Sequence, residues 1–243
     1  MSKPWRLFTT WDGDPGFNMA VDEALFLHGD ERPSLRFYTW RPCALSLGYF
    51  QRVADVPEVS QADVCVRRLT GGGAIHHANE LTFSITAPVE HPLYRGEVKR
   101  SYERVHGLLA TVFSQLGVDA ALRGALKLRS DSAGSGMCFH VSTPLDLAWS
   151  SRKGVGSAQR RSQGRVLHHG SIKMAATELD TGIAGLHEYA PALTPEKLAP
   201  RIREHFAKEL GITYVEEALS EKERQHVRER ASFFTSKTFV HRR

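Results

Sequence analysis

Three consecutive glycines, Gly71 to Gly73, follow a short β-rich run at Val64-Cys65-Val66 and precede another at Leu81-Thr82-Phe83-Ser84-Ile85. Without Cβ atoms these residues weaken any helix or strand passing through them, so the triplet reads as a loop whose N–H groups can approach a ligand closely. Further β-rich runs at Ser34–Trp40, Cys43–Leu47, Leu145–Trp149, Gly154–Ala158 and Arg165–Ile172 predict a sheet with meander-like connections. Between them lie helical patterns. Phe17, Ala20, Val21, Ala24 and Leu25 recur at helical spacing after Asp14 and Pro15, predicting a helix to about His28. Val98 to Leu116 and Pro195 to Leu210 repeat the pattern and stop at Gly117 and Gly211.

The 243 residues suit one large domain or two small ones. No internal repeat divides them, and the charged tail is too short to fold alone. We therefore expect a single catalytic domain over 1–243 with a helical C-terminal segment from about 190 to 243. No run reaches the ~18 apolar residues of a membrane span, and Met1-Ser2-Lys3-Pro4-Trp5 lacks the apolar stretch of a secretory signal, which predicts a cytoplasmic protein without a membrane partner. A net charge of +5 suits an acidic partner. Nucleic acid is not expected, because the basic residues are not interleaved with aromatics as stacking platforms require.

Two clusters carry the chemistry. The first is Arg67-Arg68-Leu69-Thr70-Gly71-Gly72-Gly73-Ala74-Ile75-His76-His77, whose arginines can meet a carboxylate or phosphate. The second is Lys153-Gly154-Val155-Gly156-Ser157-Ala158-Gln159, followed by His168-His169-Gly170-Ser171-Ile172. There a lysine at a strand start can present its ammonium to a ligand oxygen. Each double histidine sits on a strand-like run where neighbours face opposite ways, and no Asp, Glu or Cys ligand set accompanies them, so no metal is expected.

In combination and in this order, R-R-x-T-G-G-G-A, K-x-x-G-S-A-Q and H-H-G-S-I resemble the lipoate/biotin protein ligase and octanoyltransferase superfamily, with further likeness from Gly16 to Glu23 and at Ser46–Gln51. The resemblance implies a mixed α/β fold, a twisted mixed β-sheet flanked by helices, with the glycine loop over an acyl ligand and activity on a lysine of a lipoyl domain. It implies acyl or substrate binding by Arg68, Thr70, Gly71, Gly72, Gly73, His77, Gly156, Ser157, Ala158, His169 and Gly170. His77 and His169 are expected to shape the pocket by hydrogen bonding the glycine loop.

Met137-Cys138-Phe139, His77–Ser84 and Gly156–Gln159 resemble the cysteine-dependent octanoyltransferase branch, in which the cysteine takes the octanoyl chain from acyl carrier protein and passes it to the target lysine. The acceptors implied are lipoyl domains such as the glycine cleavage H protein or dehydrogenase E2 subunits. Cys138 follows a small, polar segment, Ser130–Gly136, expected to be a mobile loop leading into a strand. A free thiol is only a few per cent thiolate at neutral pH, and an ammonium such as that of Lys153 would raise the reactive fraction. Cys138 and Lys153 are therefore the expected catalytic pair. Cys43 and Cys65, inside apolar runs, read as small buried hydrophobes. Gly73 gives the loop a ligase-like triplet, and Ser150-Ser151-Arg152 stands where the family usually has a glycine-containing turn. The main reading is an octanoyltransferase needing no cofactor. The alternatives are an ATP-dependent lipoate ligase, with ATP as cosubstrate and Cys138 incidental, and a non-catalytic carrier-protein binding module.

Overall fold

The computed structural model describes residues 3–242. An eight-stranded sheet runs in the order β11-β1-β2-β6-β10-β9-β8-β7. Its strands are β1 (Trp5–Gly13), β2 (Ser34–Trp40), β6 (Glu80–Pro88), β7 (Ala121–Leu122), β8 (Leu147–Trp149), β9 (Arg152–Ser162), β10 (Arg165–Lys173) and β11 (Tyr214–Glu216). β11, β1 and β2 are parallel and the other pairings antiparallel, so the sheet is mixed. A second, three-stranded sheet holds β3 (Ala44–Leu47) between β4 (Cys65–Arg67) and β5 (Ile75–His77). The expected meander is present from β7 to β10, whereas earlier the chain leaves β2 for the small sheet before returning as β6.

Strand alternation decides which face each helix covers. Leu35 and Phe37 join the core packed by α2 (Val98–Ser114) and α3 (Pro195–Leu210), through Val105, Leu109, Ile202 and Phe206. Tyr38 and Trp40 join the core of α1 (Pro15–His28) and α4 (Glu221–Thr235), through Met19, Ala24, Val227 and Phe234. The Asp14 carboxylate caps α1 by accepting from Phe17 N at 3.0 Å. α3 ends as its sequence dictates, at Gly211 with φ +61. A short α5 (Lys237–Val240) follows α4, and Arg67 holds it by donating to the carbonyls of Phe239 and Val240 at 3.1 and 3.0 Å. The C-terminal segment is not wholly helical, since β11 pairs with β1 inside it. Among the described residues no helix is long and apolar enough to cross a membrane.

Candidate active site

Two glycine-dependent approaches build the site. Gly73 lies so close to the cysteine segment that a Cβ there would fall 2.8 Å from Cys138 N. The contact is a parallel bridge between Ala74 and Met137, with Ala74 N donating to Gly136 O at 2.8 Å and Cys138 N donating to Ala74 O at 2.7 Å. Cys138 therefore sits on a 3-10 turn, Cys138–His140, and not in the expected strand, because its N–H is engaged by the glycine loop while His140 N turns back to Met137 O. On the other side, a Cβ at Gly156 would stand 3.4 Å from Cys138 Sγ and 2.9 Å from the Lys153 side chain. Only glycine at 156 leaves room for both.

Lys153, at the start of β9, is 1% exposed, and its ammonium lies 3.3 Å from Cys138 Sγ. It donates to Cys138 O at 2.8 Å and pairs with Asp146 at 2.9 Å. Burial pushes this ammonium down, but negative charge on Cys138 and Asp146 outweighs the loss and holds it above its ordinary value. The cation is therefore permanent at neutral pH. Phe139, fully buried, lies between two such cations, Lys153 at 5.3 Å and Lys173 at 4.9 Å from its ring.

Around Cys138 opens a narrow, mainly apolar cleft. Its wall includes Arg68, Gly71, Gly72, His77, Gly156, Ser157, Ala158, His169 and Gly170, all named from sequence. Met19, Tyr38 and Trp40 add an apolar end that no motif signalled. Thr70, Gly73 and Lys153 stand just behind the wall. His169 bonds the glycine loop as expected: its Nε2 accepts from the Thr70 hydroxyl at 2.6 Å, while its Nδ1 faces Asp22 at 3.3 Å. Asp22 is fixed by Arg36 at 2.8 Å, Tyr38 at 2.9 Å and Ser84 at 2.8 Å. Burial opposes its charge, yet these donors and His169 keep the carboxylate below its usual range.

His77 departs from expectation. Its ring stacks on Trp40 at 3.9 Å, donates to Glu80 at 2.6 Å and accepts from Ser46 at 2.6 Å, so it reaches the glycine loop only through Ser46 and Arg68. Burial pushes this imidazole down to about 4 despite the Glu80 carboxylate. Arg67 and Arg68 also differ from expectation. Arg68 donates to the carbonyls of Ser46, Gly71 and Gly73 at 2.7, 3.2 and 2.7 Å, and burial lowers its guanidinium to about 10. Both arginines brace loops through carbonyl oxygens because they point into the protein. Cys43 is exposed and not the buried hydrophobe expected, since it precedes β3 and lies outside the strand. Cys65 is half-buried. Among the described residues no group of His, Cys, Asp or Glu is placed to hold a metal.

The fold that carries this cleft is the fold of solved lipoate-protein ligases. Lipoate-protein ligase A bound with ATP superposes with a TM-score of 0.77 at 21% identity, covering 98% of this chain and 99% of that one. Protein Ta0514 of T. acidophilum with bound lipoic acid gives 0.80 at 21% identity, covering all of both chains. Residues 14–223 match the lipoyl protein ligase A/B catalytic domain, and the chain belongs to that family. Octanoyltransferase LipM of Moorella thermoacetica is 40% identical over 178 residues, 70% of this chain and 65% of that protein. LipM of Staphylococcus aureus is 37% identical over 185 residues, 71% of this chain and 66% of that protein. The match thus spans just under two thirds of these relatives' length.

Proposed function

We propose that the chain is an octanoyltransferase of lipoate biosynthesis, which takes an octanoyl group from acyl carrier protein onto Cys138 and passes it to a lysine of a lipoyl domain. The acceptors would be proteins such as the glycine cleavage H protein or dehydrogenase E2 subunits. The observation that carries the reading is the Cys138 sulfur in an apolar cleft, 3.3 Å from a buried ammonium. Similarity to octanoyltransferases named LipM supports it.

The Lys153 cation stabilises the Cys138 thiolate, which attacks the carbonyl carbon of the donor thioester; the old C–S bond breaks and the carrier thiol leaves with a proton. The same cation offsets charge on the tetrahedral oxyanion, an effect worth roughly 3 kcal/mol per donor. The unprotonated amine of the acceptor lysine then attacks the Cys138 thioester. An amide forms, Cys138 leaves as the thiolate and the amine proton is released. Asp146 keeps Lys153 oriented throughout. The donor is already an activated thioester, so neither ATP nor another cofactor takes part.

The test is intact-protein mass after mixing with octanoyl-carrier protein, without ATP. We expect an octanoyl adduct that Cys138→Ala abolishes, and transfer at least ~100-fold slower in Lys153→Arg, because guanidinium keeps the charge but not the compact ammonium. Full transfer to a lipoyl domain by Cys138→Ala, dependent on ATP, would instead establish a ligase.

A further inference from the structure

Beside the acyl cleft, across the glycine loop, lies a groove of about 760 Å³ walled by Tyr49, Leu69, Arg160, Phe239 and Arg242. The Arg160 and Arg242 guanidiniums converge on the Tyr49 ring, at 5.1 and 4.2 Å from its centre. Neither has a carboxylate partner among the described residues. Arg230, which lines the same groove, is by contrast committed to Glu23 at 2.8 Å, and that carboxylate is further occupied by His226 at 2.8 Å. The Tyr49 phenol feels the two cations: Arg242, aided by Arg160, holds it below its ordinary value against burial. The groove thus holds two guanidiniums with no carboxylate partner among the described residues, over an aromatic floor and beside the Glu23–Arg230 pair that also lines it.

Its place relative to Cys138 follows from the strand. Arg160 lies four residues along β9 from Gly156, beside the sulfur, a distance of ~13 Å at ~3.3 Å per residue. Leu69 walls the groove and Gly71 the cleft, so only Thr70 separates them along the loop. Resting on the octanoyltransferase reading, we propose that Arg160 and Arg242 bind the phosphate of the donor's phosphopantetheine arm, while the arm runs past the glycine loop and presents its thioester to Cys138. An extended pantetheine arm is longer than that span, and its phosphate carries the only fixed charge between carrier and thioester.

The experiment compares octanoyl-4′-phosphopantetheine with octanoyl-pantetheine, reading the rate at which Cys138 is acylated by intact mass. The wild-type protein should favour the phosphorylated donor by about tenfold, the scale of a charge-assisted hydrogen bond at a partly exposed site. The double variant Arg160→Gln/Arg242→Gln should lose that preference, and Arg242→Gln alone should keep its rate with the unphosphorylated donor. Since Arg160 also donates to Leu69 O at 3.0 Å, Arg242→Gln, which spares the loop, is the second variant and should lower the preference alone. Equal wild-type rates with both donors, or variants slowed equally on both, would overturn this proposal while leaving the octanoyltransferase reading standing. No acylation of Cys138 by either donor would take down both.

Discussion

Gly72 has φ +94 and lines the cleft, so any side chain there opposes the backbone, and a β-branched one also enters the acyl space. Gly72→Val should weaken binding of an octanoyl ligand at least ~10-fold by calorimetry while circular dichroism stays native; unchanged affinity would make the loop a mere turn. At this scale the sequence was informative where residues came in motifs. Cys138, Lys153 and the glycines could be named because each follows or belongs to a patterned stretch. Asp146 could not, since it is a lone carboxylate inside the β-rich run Leu145–Trp149 and meets Lys153 only when β8 and β9 pair. Asp22 and Glu80 lie inside the family-like stretches Gly16–Glu23 and His77–Ser84, but their roles stay hidden there: a buried carboxylate is recognisable only from the donors folding brings to it, here Arg36 and Lys173. Cys43 misled, because an apolar run says nothing about where its first residue faces.

The hairpin joining β8 and β9 illustrates how an element can be built against its sequence. Trp149 pairs with Arg152, leaving Ser150 and Ser151 as a two-residue turn with φ +50 and +57, both left-handed. Such turns match the twist of the strands and favour glycine. Ser150 has a compensating bond to the Tyr189 hydroxyl at 2.7 Å. Ser151→Gly should therefore stabilise the protein by about 1 kcal/mol, the usual cost of a left-handed non-glycine residue, and raise Tm by ~2–4 °C. A lower Tm would show that the serine is not strained. The unusual serines were visible beforehand; their backbone was not. Helices α1, α2 and α3 were legible almost to the residue, because 3.6-residue periodicity and capping residues coincide. β5, β7 and β11 were not, since two or three residues cannot display alternation, and their pairing is decided by partners distant in sequence.

Across the molecule, buried imidazoles make stability depend on pH. His77 is held neutral to about 4 by burial, whereas in the unfolded chain it takes a proton below about 6.5. Its contribution is complete well above pH 6.5 and lost as pH falls towards 4, a loss on the order of 1 kcal/mol at pH 5.5. His106 and His168, lowered chiefly by burial, act in the same direction. Urea unfolding should show lower stability at pH 5.5 than at 7.5, and the reverse order would refute neutral burial. The +5 net charge leads to a second expectation, that kcat/KM for an acidic carrier falls as salt shortens the screening length to about 8 Å, while single-turnover transfer from preformed acyl-enzyme does not. A flat salt profile would remove charge from partner choice. The bridge between Ala74 and Met137 acts at the same scale, for it splices the glycine loop to the Cys138 turn. A shift of the glycine loop should therefore be felt at the sulfur, which hangs from the same backbone hydrogen bonds. An alkylating reagent at Cys138 would then serve as a gauge of loop position, reading by its rate whether the cradle is seated.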